Sequence, residues 1–307
     1  MPTTALDKID IGGPCKLSDN GTILYFEDGV KITPEPVWRQ VASSLGGDQD
    51  DVLVDLTYKI TGRPKSVWTS GYRGALLPDT LTNFTATGGR VCGSANRPLI
   101  ITATDAHGFS FTRGALTKMP GLFLGVGNPL YDEVEYTCYI GQGKALTDTD
   151  AFYAENTTAW AQAEYPTTHQ EAVCTGAWGA VTGWDAVWAE AGYKLAHESK
   201  LEPVKSGNIT VDHRVTGYRG MVTFNPQEPT TAQLLTALAF QGTGGGIGTR
   251  RSTNAADFVV SGSGVSVTLK SAGLQKGVFQ FDNKLNRHGE FAMITALTTP
   301  GTRLVLA

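Results

Sequence analysis

Ile23 to Val41 reads ILYFEDGVKITPEPVWRQV, and Ala186 to Val204 reads AVWAEAGYKLAHESKLEPV. Laid on each other without a gap at an offset of 163, the two stretches share Glu27/Glu190, Gly29/Gly192, Lys31/Lys194, Glu35/Glu198 and Val41/Val204. Five identities in 19 positions exceed the roughly one expected from ordinary residue frequencies. Within the first stretch, Ile23-Leu24-Tyr25-Phe26 and Val30-Lys31-Ile32-Thr33 flank Glu27-Asp28-Gly29, and an Asp-Gly pair supplies the positive φ of a tight turn, so a hairpin is predicted there. Pro34 to Asp51 then reads as a long loop, and Val52 to Thr61 as a strand with Val52, Val54, Leu56, Tyr58 and Ile60 on one face.

Further pieces of the two halves match in the same order. Val54 to Gly62 lies on Ile209 to Gly217 at an offset of 155, which implies eight extra residues in the first copy after Val41. Phe84, Thr87, Gly88 and Gly89 meet Phe240, Thr243, Gly244 and Gly245, and Phe109 to Tyr139 lies on Val267 to Leu297, pairing Leu116 with Leu274. The expectation is a unit used twice, residues 1–150 and 151–307, joined by a packed, tryptophan-rich connector over 151–183. Leu99 to Ala103, Phe109 to Thr112, Leu122 to Leu124 and Val134 to Tyr139 are short apolar runs divided by turn residues. They predict a mainly β chain of two tandem sandwich domains, each with a short helix and a long hairpin loop. Helix signals gather at Ala232 to Phe240, after a Pro-Thr-Thr start, and more weakly at Ala151 to Tyr165.

Composition narrows the function. Charged residues make up 18% of the 307, glycine accounts for 37, and the net charge is −4, which argues against a protein that grips phosphate backbones through a basic face. The N-terminus shows no charged-then-apolar signal pattern and no stretch approaches a membrane span, so synthesis and folding in the cytosol are expected. Cys15, Cys92, Cys138 and Cys174 are scattered without a C-x-x-C pair and read as buried free thiols. The five histidines are isolated, no nucleophile elbow or phosphate-loop motif occurs, and Gly242 to Gly248 follows a predicted helix instead of a strand. No catalytic set, cofactor site or metal site emerges, and a structural role without enzymatic activity is expected. Residues 1–150 carry 13 basic and 17 acidic side chains, while 151–307 carry 12 of each, so the negative balance lies in the first half.

Two fused β units with this order of hairpin, long loop and strands resemble the tail tube (major tail) proteins of long-tailed bacteriophages. The residues carrying the likeness are Ile23 to Thr33 with the loop to Asp51, Val52 to Thr61, and Pro98 to Thr137. Within the last, Arg113-Gly114-Ala115-Leu116-Thr117-Lys118-Met119-Pro120 followed by Leu122 to Gly125 is similar to the T-K-M-P turn and following strand of phage-encoded tail proteins. The second half departs from it at Gly273 to Gly277. The resemblance implies tail-tube-like sandwiches, six of which close a ring, and rings that stack into a conduit through which DNA passes without sequence-specific binding. A chain with two units implies a homotrimeric, pseudo-sixfold ring in the virion tail, assembled in the host cytoplasm, with tape-measure and tail terminator proteins as partners and no membrane. The loop residues Trp38, Arg39, Asp48, Asp50 and Asp51 are the candidates for contact with the next ring. The competing expectations are another tail component, such as a completion or hub protein, and a carbohydrate-binding adhesion sandwich whose platform is Trp160 to Trp188.

Overall fold

A computed structural model describes residues 9–43, 47–77, 89–93, 97–103, 108–125, 130–158, 160, 174–179, 184–226, 255–262, 264–276, 289–295 and 304–307. The predicted helix at Ala232 to Phe240 and the glycine run at Gly242 to Gly248 lie outside them. The described chain is mainly β, as expected, with one short helix, α1 (Ser70–Leu76). The Ala151 to Tyr165 segment is not helical where it is described, because Tyr153 to Glu155 pairs as a strand.

Nine strands of the first half, together with β11 from just after residue 150, form two five-stranded sheets. β1 (Ile9–Ile11), β4 (Val30–Ser43), β5 (Gly47–Gly62), β10 (Val134–Cys138) and β8 (Gly114–Lys118) make one, in the order β1-β4-β5-β10-β8. β2 (Cys15–Asp19), β3 (Thr22–Phe26), β6 (Leu99–Ala103), β7 (Gly108–Phe111) and β11 (Tyr153–Glu155) make the other, in the order β11-β7-β6-β2-β3. The sheets meet through aromatic side chains. Tyr58 on β5 lies 6.0 Å from Phe111 and 5.2 Å from Phe152 between ring centroids, and Tyr58, Phe111, Leu17, Leu24 and Ile60 are almost fully buried. β11 completes this first pair of sheets, so the residues just after 150 pack with the half that precedes them.

The turn at Glu27 to Gly29 does not make the predicted hairpin. β3 pairs with β2 and β4 pairs with β1 and β5, so the turn carries the chain from one sheet to the other. Its geometry nevertheless needs glycine: Gly29 has φ +81°, and a Cβ there would overlap the Ile11 carbonyl oxygen on β1. Pro34 to Asp51 is not a loop either. β4 and β5 run on together to Ser43 and Gly47 as one long hairpin. Pro34 and Pro36 sit on β4 beyond the three residues that β1 covers, where the missing N–H faces an open edge.

The second half is one folded sheet built from β12 (Thr175–Trp178), β13 (Ala189–Ser206), β14 (Ile209–Pro226), β15 (Ala256–Gly262), β16 (Val265–Lys276), β17 (Phe291–Thr295) and β18 (Leu304–Leu306), joined at its edge by β9 (Leu122–Leu124) of the first half. Phe224, Phe258, Phe291, Tyr193 and Trp184 fill its core; the Phe224 and Phe258 rings stack at 5.3 Å.

Strand register repeats between the halves. β4 and β5 pair Lys31 with Thr61 and Val37 with Asp55, skip Val54, pair Trp38 with Leu53 and Val41 with Asp50, then skip Gln49 to pair Ala42 with Asp48. β13 and β14 pair Lys194 with Thr223 and Lys200 with Gly217, skip Thr216, pair Leu201 with Val215 and Val204 with Asp212, then skip Val211 to pair Lys205 with Thr210. An offset of 163 on the first strand and 162 on the second converts each pair, and both bulges, into its counterpart. The offset of 155 and its eight-residue insertion therefore disagree with the pairing; short Lys-Ile-Thr-Gly-like strings recur in threonine-rich strands and misplace an ungapped match. Tyr136 to Leu116 and Met293 to Leu274 correspond in the same way, again with a bulge beside each. So do Ile101 to Phe109 and Val260 to Val267.

Candidate interaction surface

The feature that positions side chains outside the cores is the pair of long hairpins, here called arms. Up to the first bulge, β5 alternates as the sequence predicts: Leu56, Tyr58 and Ile60 are buried, while Thr57, Lys59 and Thr61 face outward with Thr33 and Glu35 of β4 and Glu135 of β10. Lys59 on this polar face is bracketed by Glu35 at 2.8 Å and Glu135 at 3.8 Å, and its ammonium is held above its ordinary pKa chiefly by the Glu35 hydrogen bond. The bulge at Val54 ends the alternation. Val52 beyond it is 43% exposed, so the expected five-residue apolar face stops at three.

The second arm leans on the first half. Leu201 and Val215 pack against Val91, Ala115 and Tyr139 of the first half, beside Cys92. Residues 89–93 run antiparallel to β14: Val91 N–H donates to His213 O at 3.0 Å and Val215 N–H to Gly89 O at 2.7 Å. Asp212, fully buried, accepts from Arg113 Nη2 at 3.3 Å and from the Cys92 amide at 3.1 Å, while the same Arg113 nitrogen also donates to Gly93 O at 2.7 Å. Nearer the tip, buried Asp55 of the first arm accepts from Thr210 N–H at 2.9 Å and Thr210 Oγ1 at 2.6 Å. The half-buried His213 ring shares a 2.7 Å hydrogen bond with Tyr139 Oη. Burial pushes the His213 imidazole below its ordinary value, with Asp212 acting in the opposite direction.

A cleft of about 280 Å³ lies where the arms meet, lined by Glu35, Lys59, Thr117, Glu135, Leu201 and His213. A second of about 450 Å³ lies between Arg90, Arg113 and the 140–144 segment on one side and Ser206, Ile209 and Val211 on the other. Lys59 pairs with Glu35 and Glu135 within the first half, whereas Arg113 with Asp212 and Asp55 with Thr210 join the two halves and make the region a clasp. Among the described residues, no three His, Cys, Asp or Glu side chains are grouped to hold a metal. Cys15, Cys138 and Cys174 are buried and Cys92 is half-buried; burial pushes the Cys15 and Cys92 thiols up to about 12 and Cys174 up to about 11, so all four remain protonated.

The five residues singled out from the sequence fall on the first arm: Trp38 opposite Leu53, Arg39 opposite Val52, and Asp51, Asp50 and Asp48 opposite Gln40, Val41 and Ala42. Trp38 is 48% exposed on one face of the arm, and Val37, Val41 and Val52 are exposed on the other. Sequence reasoning missed Asp55, Arg113, Asp212 and His213. The available signal was a lone charge inside a strand, Asp55 between Val54 and Leu56 and Asp212 between Val211 and His213, since a buried carboxylate requires partners. Of the expected aromatic platform, Trp160, Trp178 and Trp184 are buried in the cores and only Trp188, at 51%, is exposed. No helix among the described residues is long and apolar enough to cross a membrane. The chain matches no protein-family model and no curated protein.

Proposed function

We propose that the chain is a structural virion protein, a tail tube protein of a long-tailed bacteriophage, whose two units contribute two of the six positions in a ring. The observation that carries this reading is the repeated strand register with its shared bulges, together with the head-to-tail manner in which the second unit's arm lies on the first unit. A heterologous contact of this kind has one used and one open face at each end, and such contacts generate rings or filaments. Three chains supply six units, and stacked rings form the conduit. The polar, threonine-rich outer face of the β4-β5-β10 sheet, with Lys59 neutralised by two glutamates, suits a wall that DNA slides past, because an unpaired lysine would hold phosphate. A tape-measure protein and a tail terminator are the expected partners, and the virion tail the expected location. Negative-stain microscopy of purified protein over a range of concentration and ionic strength tests this: rings or tubes are expected, and a strictly single chain under every condition sinks it.

A further inference from the structure

The two clefts at the clasp differ in charge. The smaller is lined by Glu35, Asp55 and Glu135 besides Lys59 and His213, whereas the larger, of about 450 Å³, is lined by Arg90, Arg113 and Lys144 and by no carboxylate among the described residues. Arg113 is only 4% exposed, yet its Nε–H has no hydrogen-bond acceptor among the described residues. Its Nη2 donates to Gly93 O at 2.7 Å and reaches Asp212 Oδ2 at 3.3 Å, long for a charge-assisted bond, which typically spans about 2.7–2.9 Å. The other carboxylate oxygen, Asp212 Oδ1, already accepts from the Cys92 and His213 amides at 3.1 and 2.8 Å. A buried donor without an acceptor is costly, and an oxyanion is the partner that a guanidinium fits best. We infer that the larger cleft is a binding site for a small oxyanion, a carboxylate or phosphate group, held by Arg113 Nε together with the Arg90 and Lys144 side chains.

Lys144 is bonded to Asp150 at 2.7 Å, but the two side chains are 38% and 62% exposed, and a solvated pair of this kind contributes little and is readily exchanged for a bound anion. The cleft's volume lies within the range of small-molecule sites, about 300–1,000 Å³, and leaves room for an organic body beside the anionic group. Buried Ile140 and half-buried Ile209 and Val211 give that body apolar surface. Arg90, Arg113 and Lys144 belong to the first half, and Ser206, Ile209 and Val211 to the second arm, so a ligand here touches both and is bound only while the arm is docked. Occupancy therefore fastens the clasp, because a ligand that binds one state alone stabilises that state. Such a site does not depend on the chain being a tail protein.

Titrating the full-length protein with sodium phosphate or sodium citrate near neutral pH, with ionic strength held constant by sodium chloride, tests the site by calorimetry and by thermal unfolding. Saturable binding of one anion per chain and a melting temperature that rises with occupancy are expected. Arg90→Gln and Lys144→Gln are each expected to weaken binding by about tenfold or more, and so is Arg113→Lys, which keeps a cation beside Asp212 but lacks the Nε–H. Lys59→Gln, in the smaller cleft, is expected to leave binding unchanged. Saturable binding of either anion supports the site, and the tighter of the two assigns the group as phosphate or carboxylate. No saturable heat with either anion, a melting shift that sodium chloride alone reproduces, or binding that Arg90→Gln and Lys144→Gln both retain at full strength would overturn it.

Discussion

Gly29 and Gly192 are the residues through which each unit admits an edge strand. Both have positive φ, +81° and +79°, and at both a Cβ would overlap backbone of the strand that covers the edge, Ile11 of β1 in one case and Leu124 of β9 in the other. Their identity at an offset of 163 therefore has a steric cause, although the sequence suggested only a hairpin turn. Gly192→Ala is expected to destabilise the protein by about 3 kcal/mol, measured by denaturant unfolding, from backbone strain plus displacement of β9. A second prediction concerns His213, which contacts Tyr139 Oη and lies near Asp212, Lys59, Glu35 and Glu135. Its pKa in the docked state is lowered from 6.5, so above that value both docked and unfolded forms are neutral and docking is at full strength. As pH falls below 6.5 the unfolded chain takes up a proton that the docked ring refuses, and stability declines until the docked pKa is passed. The melting temperature of wild type should fall more steeply with acidification from pH 6.5 than that of His213→Gln; equal slopes would remove His213 from the clasp.

At the scale of elements, the legible parts are those with a buried face on one side only. Leu56, Tyr58 and Ile60 show their alternation plainly, and the cores of both halves draw on the apolar runs picked out from the sequence. The arms were illegible for the opposite reason. Beyond the bulge at Val54, Trp38, Val41 and Val52 are all exposed although they lie on both faces of the arm, so the described residues alternate in no simple pattern, and Pro34 and Pro36 mimic a loop. Asp212, by contrast, looks like a surface charge until β14 is laid against residues 89–93 of the first half, a contact of high sequence separation. β9 is the least predictable element: it follows β8 by three residues yet pairs with β13. Leu122 and Leu124 face β13 with their backbone groups, because Phe123 N–H donates the other way, to Leu130 O at 2.9 Å. Leu124→Pro removes a ladder donor at a buried position and is expected to cost about 3 kcal/mol or more. Limited proteolysis should then cut between the units faster than in wild type, whereas an unchanged pattern would show that β9 does not hold them together.

For the whole molecule, one description accounts for its size, its charge and its arms. The chain is long enough for two units, each with a long bulged hairpin, and the second hairpin lies on the first half while the first meets it through Asp55 and carries exposed Trp38 beyond its bulge. Under the proposed role, the low charge content and net −4 would keep a wall around DNA from binding it. The likeness between the β4–β5 and β13–β14 registers has a sequence counterpart at Ile23 to Val41, where identities are dense. In the following strand the ungapped sequence match and the hydrogen-bonded register disagree about which residues correspond. End-on electron-microscopy averages of the assembled wild-type protein test the central claim most directly. The account predicts rings of six similar lobes built from three chains and stacked into tubes; rings with another number of lobes, or no closed ring from a protein that stays a single chain, would contradict it.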